Sequence, residues 1–429
     1  MKIAILGGGL AGLAAGYKLS NRGHEITILE KENFLGGLAS SYSVSWDEKN
    51  YWITKTYHHI LHGDDTTTDL IKELGIGNKL HKKKVKTGFL YKNRIWRFSS
   101  PIEILKFPLP LYDKIKLAKF ILKVSKKMNW DDAEGMNAKD WIIKEAGERN
   151  FEVFFRQLIW NKFNEPAEKI SAPWFGTRFA KEPASFMKKF GWLEGGIQQM
   201  IDILAKNIEE HGGKIKLNVQ IRKIINENKR VIYLENNEVK EEDFDIAIST
   251  LPPEIFLELV DKVPDELREK LEGIKYLSCV CACIGLKSIP TEVYWTNILD
   301  GNSPFVVIFN HTALYEDSAP SGKCVVYLVT YLRSNDELWK KDEKEIFDVY
   351  MKALNNVFPG FDTNVEWHKI AKFKNAEAIY SLNFENPPIS KDGLYFAGIY
   401  RIYPKIRNMA SAIESGFEVA NKILDDYAK

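Results

Sequence analysis

At 429 residues the chain is too long for one ordinary hydrophobic core, so two or three domains are expected. With 45% apolar and 28% charged residues its composition is that of a soluble globular protein. Sixty basic side chains against 58 acidic ones leave a net charge of +2, which excludes a global electrostatic attraction to nucleic acid.

Lys2 to Leu6 (KIAIL) is a short apolar run of the kind that forms a buried parallel strand, and it leads straight into Gly7-Gly8-Gly9-Leu10-Ala11-Gly12. In this G-x-G-x-x-G spacing Gly7 permits a sharp turn, Gly9 lets backbone approach a pyrophosphate, and Gly12 lets the next helix pack on the strand. The first N–H groups of that helix, around Leu10 and Ala11, have no intrahelical partner and favour an anion. Leu13 to Ser20 reads as a small-residue helix closed by Arg22-Gly23, and Glu25 to Leu29 (EITIL) as a second buried strand. It ends at Glu30, 18 positions after Gly12, where a dinucleotide fold places the carboxylate that accepts from ribose hydroxyls.

After Glu30 and Lys31 comes Gly36-Gly37-Leu38, and here the chain resembles the FAD-containing amine oxidase superfamily, which includes protoporphyrinogen oxidases, phytoene desaturases and UDP-galactopyranose mutases. The resemblance implies FAD as cofactor, with the Gly36-Gly37 turn around its pyrophosphate. Many members carry Arg where this chain has Leu38, so a charged phosphate contact is missing or supplied elsewhere. Tyr57-His58-His59 stands where relatives place a Gly-Gly-His turn against the flavin ring, and a helix is expected from about Thr67 to Gly75.

Lys79 to Arg97 is basic and continues as two short strands around Asn93. Past Pro101, Pro108 and Pro110, the stretch Leu111 to Met128 reads as one amphipathic helix. Its apolar residues, Phe120 among them, fill one broad arc, and Lys116, Lys119, Lys123, Lys126 and Lys127 crowd the other side. Residues 138–190 read as helical and aromatic-rich, broken at Pro166, Pro173 and Pro183; their aromatics resemble the cavity wall of protoporphyrinogen oxidase relatives but are expected mostly in the core.

Gly195-Gly196 opens a further helix, and Lys214 to Lys223 reads as one period-2 strand in which the family likeness puts an adenine contact near Ile221. Strands follow at Arg230 to Leu234 and Asp243 to Ile248, the latter running into Thr250-Leu251-Pro252-Pro253, a family-like exit. Cys279, Cys281 and Cys283 alternate along the strand Leu277 to Leu286 and Cys324 is isolated, so all four read as buried fillers and no metal is expected. Further strands are expected at Phe305 to Asn310 and Cys324 to Tyr331, and a helix at Glu343 to Phe358. Near the carboxy terminus, Gly393 to Gly398 and a helix from Met409 to Leu424 resemble the family's second FAD motif, with Ile399 where most members have Asp. Arg407-Asn408-Met409-Ala410 offers backbone N–H groups toward the flavin O2 end.

The expected fold is α/β: a discontinuous Rossmann-type FAD-binding domain (1–75, 191–255, 390–429) and an α+β substrate domain (76–190, 256–389). The resemblance implies an FAD oxidoreductase exchanging hydride between flavin N5 and a largely apolar substrate of isoprenoid, tetrapyrrole or amine class. Two rivals remain: a UDP-galactopyranose mutase-like isomerase, for which Arg156, Arg178, Arg333, Arg401 and Arg407 would be the diphosphate ligands, and a non-catalytic flavin-binding scaffold. No catalytic residue is assigned and the oligomeric state is left open. No signal peptide or spanning helix is expected, and the basic helix 111–128 suggests a cytoplasmic protein peripheral on the membrane.

Overall fold

The computed structural model describes residues 1–125, 130–181 and 189–428. Its organising sheet has six strands, in the order Ser390–Lys391, Leu394–Phe396, Ile246–Ser249, Lys2–Leu6, Glu25–Leu29, Lys214–Lys216, all parallel except the edge strand Ser390–Lys391. The strand Lys2–Leu6, β1, is apolar throughout its interior because both faces are covered. Ile3 and Ile5 face the helices, whereas Ala4 and Leu6 face a three-stranded antiparallel sheet of Gln220–Ile225, Arg230–Glu235 and Glu238–Asp243. Helix α1 (Leu10–Ser20) packs against the helices Gln198–Glu210 and Met409–Asp426. That approach is close: a Cβ on Gly416 would lie 2.2 Å from the Ala11 carbonyl oxygen, and one on Gly12 equally near that of Gly7.

Two strand readings are corrected. Lys214 to Lys223 is two strands in two different sheets, Lys214–Lys216 and Gln220–Ile225, because the chain turns a corner at Asn218 with φ of 56°. An alternating pattern carries no mark of such a corner, and Asn tolerates the left-handed conformation. Asp243 to Ile248 likewise divides into the end of Glu238–Asp243 and the separate strand Ile246–Ser249.

The second large sheet has seven strands, in the order Val365–Ile379, Lys275–Leu286, Cys324–Leu332, Val307–Asn310, Val293–Ile298, Lys86–Tyr91, Arg94–Arg97. Val365–Ile379 and Val293–Ile298 escape the sequence reading, the former because polar residues interrupt its apolar alternation. Cys279, Cys281 and Cys283 point to one face of this sheet and join its core; burial pushes the Cys279 thiol up to about 11, so it stays protonated. The hairpin Ser41–Trp46/Lys49–Thr54 packs on the same face, with Thr54 hydrogen-bonded to the Tyr327 hydroxyl at 3.1 Å.

The apolar arc of the basic helix is also corrected. The helix is described over Leu111–Ser125; Lys126, Lys127 and Met128 lie outside the described residues, as does Pro183. Its broad apolar arc is two faces: Leu117, Phe120, Ile121 and Val124 are in the core, while Leu111, Ile115 and Leu122 are exposed. A helix lying on a core buries only part of its circumference, so an arc wider than that leaves a remainder outside.

Candidate cofactor and substrate site

Four neighbouring strands of the parallel sheet end at one place, each within two residues of a predicted site residue: Gly7 directly after β1, Glu30 after Glu25–Leu29, Thr250 after Ile246–Ser249, and Gly398 two positions after Leu394–Phe396. Open α/β sheets bind ligands at such carboxyl ends. Gly7 N–H donates to the Leu29 carbonyl at 2.9 Å, and the Thr250 hydroxyl donates to the Leu6 carbonyl at 2.8 Å. Gly398 N–H donates to the Ser415 hydroxyl at 2.8 Å, which ties this turn to the last helix.

Gly9 begins α1, and no side chain caps the helix there. A Cβ placed on Gly9 would meet nothing within 4 Å, so the helix end faces open space. The second glycine turn comes to the same spot. Gly36 N–H donates to the Gly8 carbonyl at 2.9 Å, Gly36 and Gly37 both have positive φ, and a Cβ on Gly37 would lie 3.4 Å from the Gly9 Cα. Glu30 is almost buried and accepts from Gly8 N–H at 2.7 Å and Glu32 N–H at 2.9 Å, each with a different carboxylate oxygen. One acid therefore holds the glycine loop and still has lone pairs for a ribose hydroxyl. Uncapped helix N–H groups of Leu10, Ala11 and Gly12, open space, two glycine turns in contact and an adjacent carboxylate fit a dinucleotide pyrophosphate and its ribose.

The other predicted residues are distributed more widely. Lys31 points outward and pairs with Glu32 at 3.4 Å. Leu38 packs in the apolar cluster that contains Tyr57 and Phe309, and its carbonyl accepts from the Thr56 hydroxyl. Ile221 pairs with Tyr233 inside the small sheet. Closer in the chain to the Glu30 strand, Asn218 and Val219 donate their backbone N–H groups to the carbonyls of Glu32 and Glu30. Asn408 caps the last helix by accepting from Ser411 N–H at 2.8 Å and donates to Asp64 at 2.9 Å, so the start of Met409–Asp426, with Met409 and Ala410, is bound to the loop that follows Tyr57-His58-His59. Arg407 turns its guanidinium toward the seven-stranded sheet, donating to Glu377 at 2.9 Å and to the Tyr331 hydroxyl at 2.8 Å.

A cavity adjoins the Tyr57 loop. Tyr57 stacks on Phe309 with ring centroids 4.1 Å apart, and the cavity continues between Phe163, Phe175 and Phe179 from the helical segment and Trp295 from the sheet. Most aromatics of residues 138–181 are core as expected; Phe163, Phe175 and Phe179 belong to that core and also line the cavity. Beneath it Glu377, 1% exposed, is approached by Lys162 at 2.9 Å, Arg407 at 2.9 Å and Arg178 at 3.5 Å. Burial alone would raise this carboxyl, but Lys162, Arg407 and Arg178 hold it down at about 2. Sequence reading missed Glu377 and Tyr331, which come from distant strands with no motif; Lys162 lies in the stretch Trp160-Asn161-Lys162-Phe163, whose resemblance to a cavity wall gave it no role of its own.

Of the five arginines named for a sugar diphosphate, Arg178 and Arg407 converge on Glu377. Arg156 pairs with Glu152 and Arg333 with Glu165 at exposed positions, and Arg401 holds the carbonyls of Pro387 and Phe396.

His58 and His59 are neutral side chains. Burial lowers His58 to about 4, its ring nitrogen lying 3.0 Å from the Thr56 carbonyl, and lowers His59 to about 3, with Tyr294 at 2.7 Å. Their imidazole resonances are expected to show no titration above about pH 5. Because the folded values lie below the ordinary 6.5, the stability they contribute is complete above pH 6.5 and falls as the pH drops through that value toward 4. An imidazole NMR titration with a midpoint near neutrality would contradict this placement.

A parallel sheet with two glycine turns over a helix start at its carboxyl end defines a dinucleotide-binding protein, here with an aromatic cavity beside the site. The sequence profile of the flavin containing amine oxidoreductases matches residues 10–424, and the chain belongs to that family; its cofactor is FAD. It is 24% identical over 475 residues to the chloroplastic/chromoplastic 15-cis-phytoene desaturase of Capsicum annuum, covering 100% of this chain and 78% of the relative. Among solved structures it is similar to a protein of Exiguobacterium sp. 255-15 provisionally assigned as a protoporphyrinogen oxidase, with a TM-score of 0.77, 17% identity and 99% of each chain covered. It is also similar to reduced UDP-galactopyranose mutase, with a TM-score of 0.76, 15% identity, and 100% of this chain and 94% of that one covered. The protein is thus a flavin-containing oxidoreductase with the amine oxidase fold.

Proposed function

We propose that this oxidoreductase acts on a largely apolar substrate seated in the aromatic cavity, with residues 1–75, 191–255 and 390–429 serving FAD and 76–190 and 256–389 serving the substrate. The observation that carries the reading is the cavity itself: Phe163, Phe175, Phe179, Trp295 and Phe309 wall a space that opens beside Tyr57, the start of the loop expected against the flavin. Bound FAD supplies hydride acceptance and donation. The chain supplies the rest: Glu30 and the two glycine turns hold the dinucleotide, the aromatic walls exclude water, and the neutral His58 and His59 bring no charge near the ring. The scattering of Arg156, Arg333 and Arg401 weighs against the sugar mutase reading.

The substrate's source follows from the exposed side of the basic helix. Leu111, Ile115 and Leu122 form one stripe, flanked by Tyr112 and by Ile102 and Leu105 of the neighbouring helix Pro101–Lys106, all at least 48% exposed. Lys119 and Lys123 lie on the flank between this stripe and the buried face. Apolar side chains beside lysines suit an anionic bilayer surface, each cation contributing about 1 kcal/mol. No helix among the described residues is long and apolar enough to cross a membrane, so the contact proposed is peripheral, on the cytoplasmic face.

The test is sedimentation with anionic liposomes followed by anaerobic incubation with polyene or tetrapyrrole loaded in them. Binding should weaken in high salt and in the triple variant Leu111→Ser, Ile115→Ser, Leu122→Ser, with FAD content retained, and the loaded substrate should bleach the flavin. Turnover of a UDP-sugar with no acceptor consumed would instead establish the mutase. A flavin that no candidate bleaches would point to the non-catalytic scaffold.

A further inference from the structure

The cofactor site is rich in negative charge. Glu30 and Glu32 stand side by side after the strand Glu25–Leu29, the Glu32 N–H donating to the Glu30 carboxylate at 2.9 Å, and a dinucleotide brings a doubly charged pyrophosphate to the glycine turns beside them. The start of α1 opposes this with only about half an elementary charge. Lys31 points outward and pairs with Glu32 at 3.4 Å, and Leu38, directly after the second glycine turn, is apolar and packs in the cluster with Tyr57 and Phe309.

The hairpin Ser41–Trp46/Lys49–Thr54 brings a further cation to this place. Past its second strand the chain runs back along the glycine turn: Lys55 N–H donates to the Ser40 carbonyl at 2.8 Å, and the Thr56 hydroxyl to the Leu38 carbonyl at 3.1 Å. The half-buried Lys55 side chain then reaches the loop that joins Glu30 to Gly36, where its ammonium lies 2.9 Å from the centroid of the Phe34 ring and 5.5 Å from that of Tyr42. Among the described residues this ammonium makes no hydrogen bond, and no carboxylate oxygen lies within 4 Å of it. The charge that acts on it is Glu32, which is beyond ion-pair distance and already holds Lys31. Burial lowers the ammonium from its ordinary value, and Glu32 opposes that shift.

Ring faces attract a cation less strongly than a phosphate oxygen that accepts its N–H, and a partly desolvated ammonium gains most from such an anion. We infer that Lys55 binds the FAD pyrophosphate, supplying from the neighbouring hairpin the positive charge that neither Lys31 nor Leu38 places at the glycine turns. The Phe34 and Tyr42 rings seat the ammonium in advance, so little side-chain freedom is lost when the cofactor arrives. The inference rests on the two glycine turns being the pyrophosphate site and is independent of what occupies the aromatic cavity.

The experiment measures the FAD dissociation constant of the full chain, at low and at high salt, for the wild type and for Lys55→Arg, Lys55→Met and Lys55→Glu. At low salt Lys55→Met should bind FAD about tenfold more weakly than the wild type. Lys55→Glu should be weaker still, and Lys55→Arg, which keeps the charge, should lose far less. The gap between wild type and Lys55→Met should narrow as salt screens the pair. A purely structural role predicts otherwise: a methionine packs on Phe34 as a lysine stem does, so the neutral variant would keep its affinity and salt would not matter. The unfolding midpoint of each variant without FAD reports its folding, and Lys55→Gln replaces Lys55→Met should the latter fail to fold. An FAD affinity unchanged in the neutral variant, or a loss of the same size at low and high salt, overturns the inference and leaves the glycine-turn site standing.

Discussion

Glu30→Ala is expected to lower FAD affinity by about 10- to 100-fold, corresponding to about 1.5–3 kcal/mol for an ionised acceptor. The effect has two sources. In the proposed site the carboxylate would accept from ribose, and it already holds the Gly8 and Glu32 N–H groups, so the variant should lose both a ligand contact and the shape of the glycine loop. Glu30→Gln keeps an acceptor of similar size and should fall between the two. Reconstitution of apoprotein by FAD titration measures this directly, and an affinity unchanged in Glu30→Ala would remove Glu30 from the cofactor site.

Glu377→Ala should destabilise the protein by about 3–5 kcal/mol, because it leaves the buried partners of a charge network without their shared carboxylate. Lys162, Arg178 and Arg407 come from three different elements and meet at this one acid, so the loss also loosens the floor of the cavity. The same network predicts a pH dependence. The folded carboxyl, at about 2, lies below its ordinary 4.5, so its stabilisation is fully present above pH 4.5 and is lost as the pH falls through that value toward 2. Over that window the loss is about 3 kcal/mol. Urea denaturation at pH 7 and at pH 3 tests both points: the gap between wild type and Glu377→Gln should narrow at the lower pH, and a gap independent of pH would show that Glu377 is not ionised in the folded protein.

The cofactor half of the molecule was legible because its chemistry is local. A strand, a glycine turn and a helix start are consecutive residues, and the physics that binds pyrophosphate, φ-permissive glycine and unpaired helix N–H groups, is written within Lys2 to Ser20. Glu30 and Gly36-Gly37 follow within 25 residues of Gly12, so their convergence on Gly8 and Gly9 needed only one βαβ unit to be right. The carboxy-terminal turn at Gly398 and the helix after it were readable for the same reason.

The substrate half is different in kind. Nothing in the spacing of Tyr57, Lys162, Arg178, Tyr331, Glu377 and Arg407 predicts that they meet, since sheet pairing and helix packing across hundreds of positions bring them together. The corner at Asn218 was hidden because alternation persists through it, and the exposed stripe of Leu111, Ile115 and Leu122 was merged with the buried face because periodicity gives the width of an apolar arc but not how much of it a neighbour covers. By itself, then, the sequence determined the nucleotide-binding fold and FAD, because short-range backbone geometry decides both. Only the tertiary structure decided that three cations share one buried acid below an aromatic cavity, because long-range packing sets which charges are desolvated together.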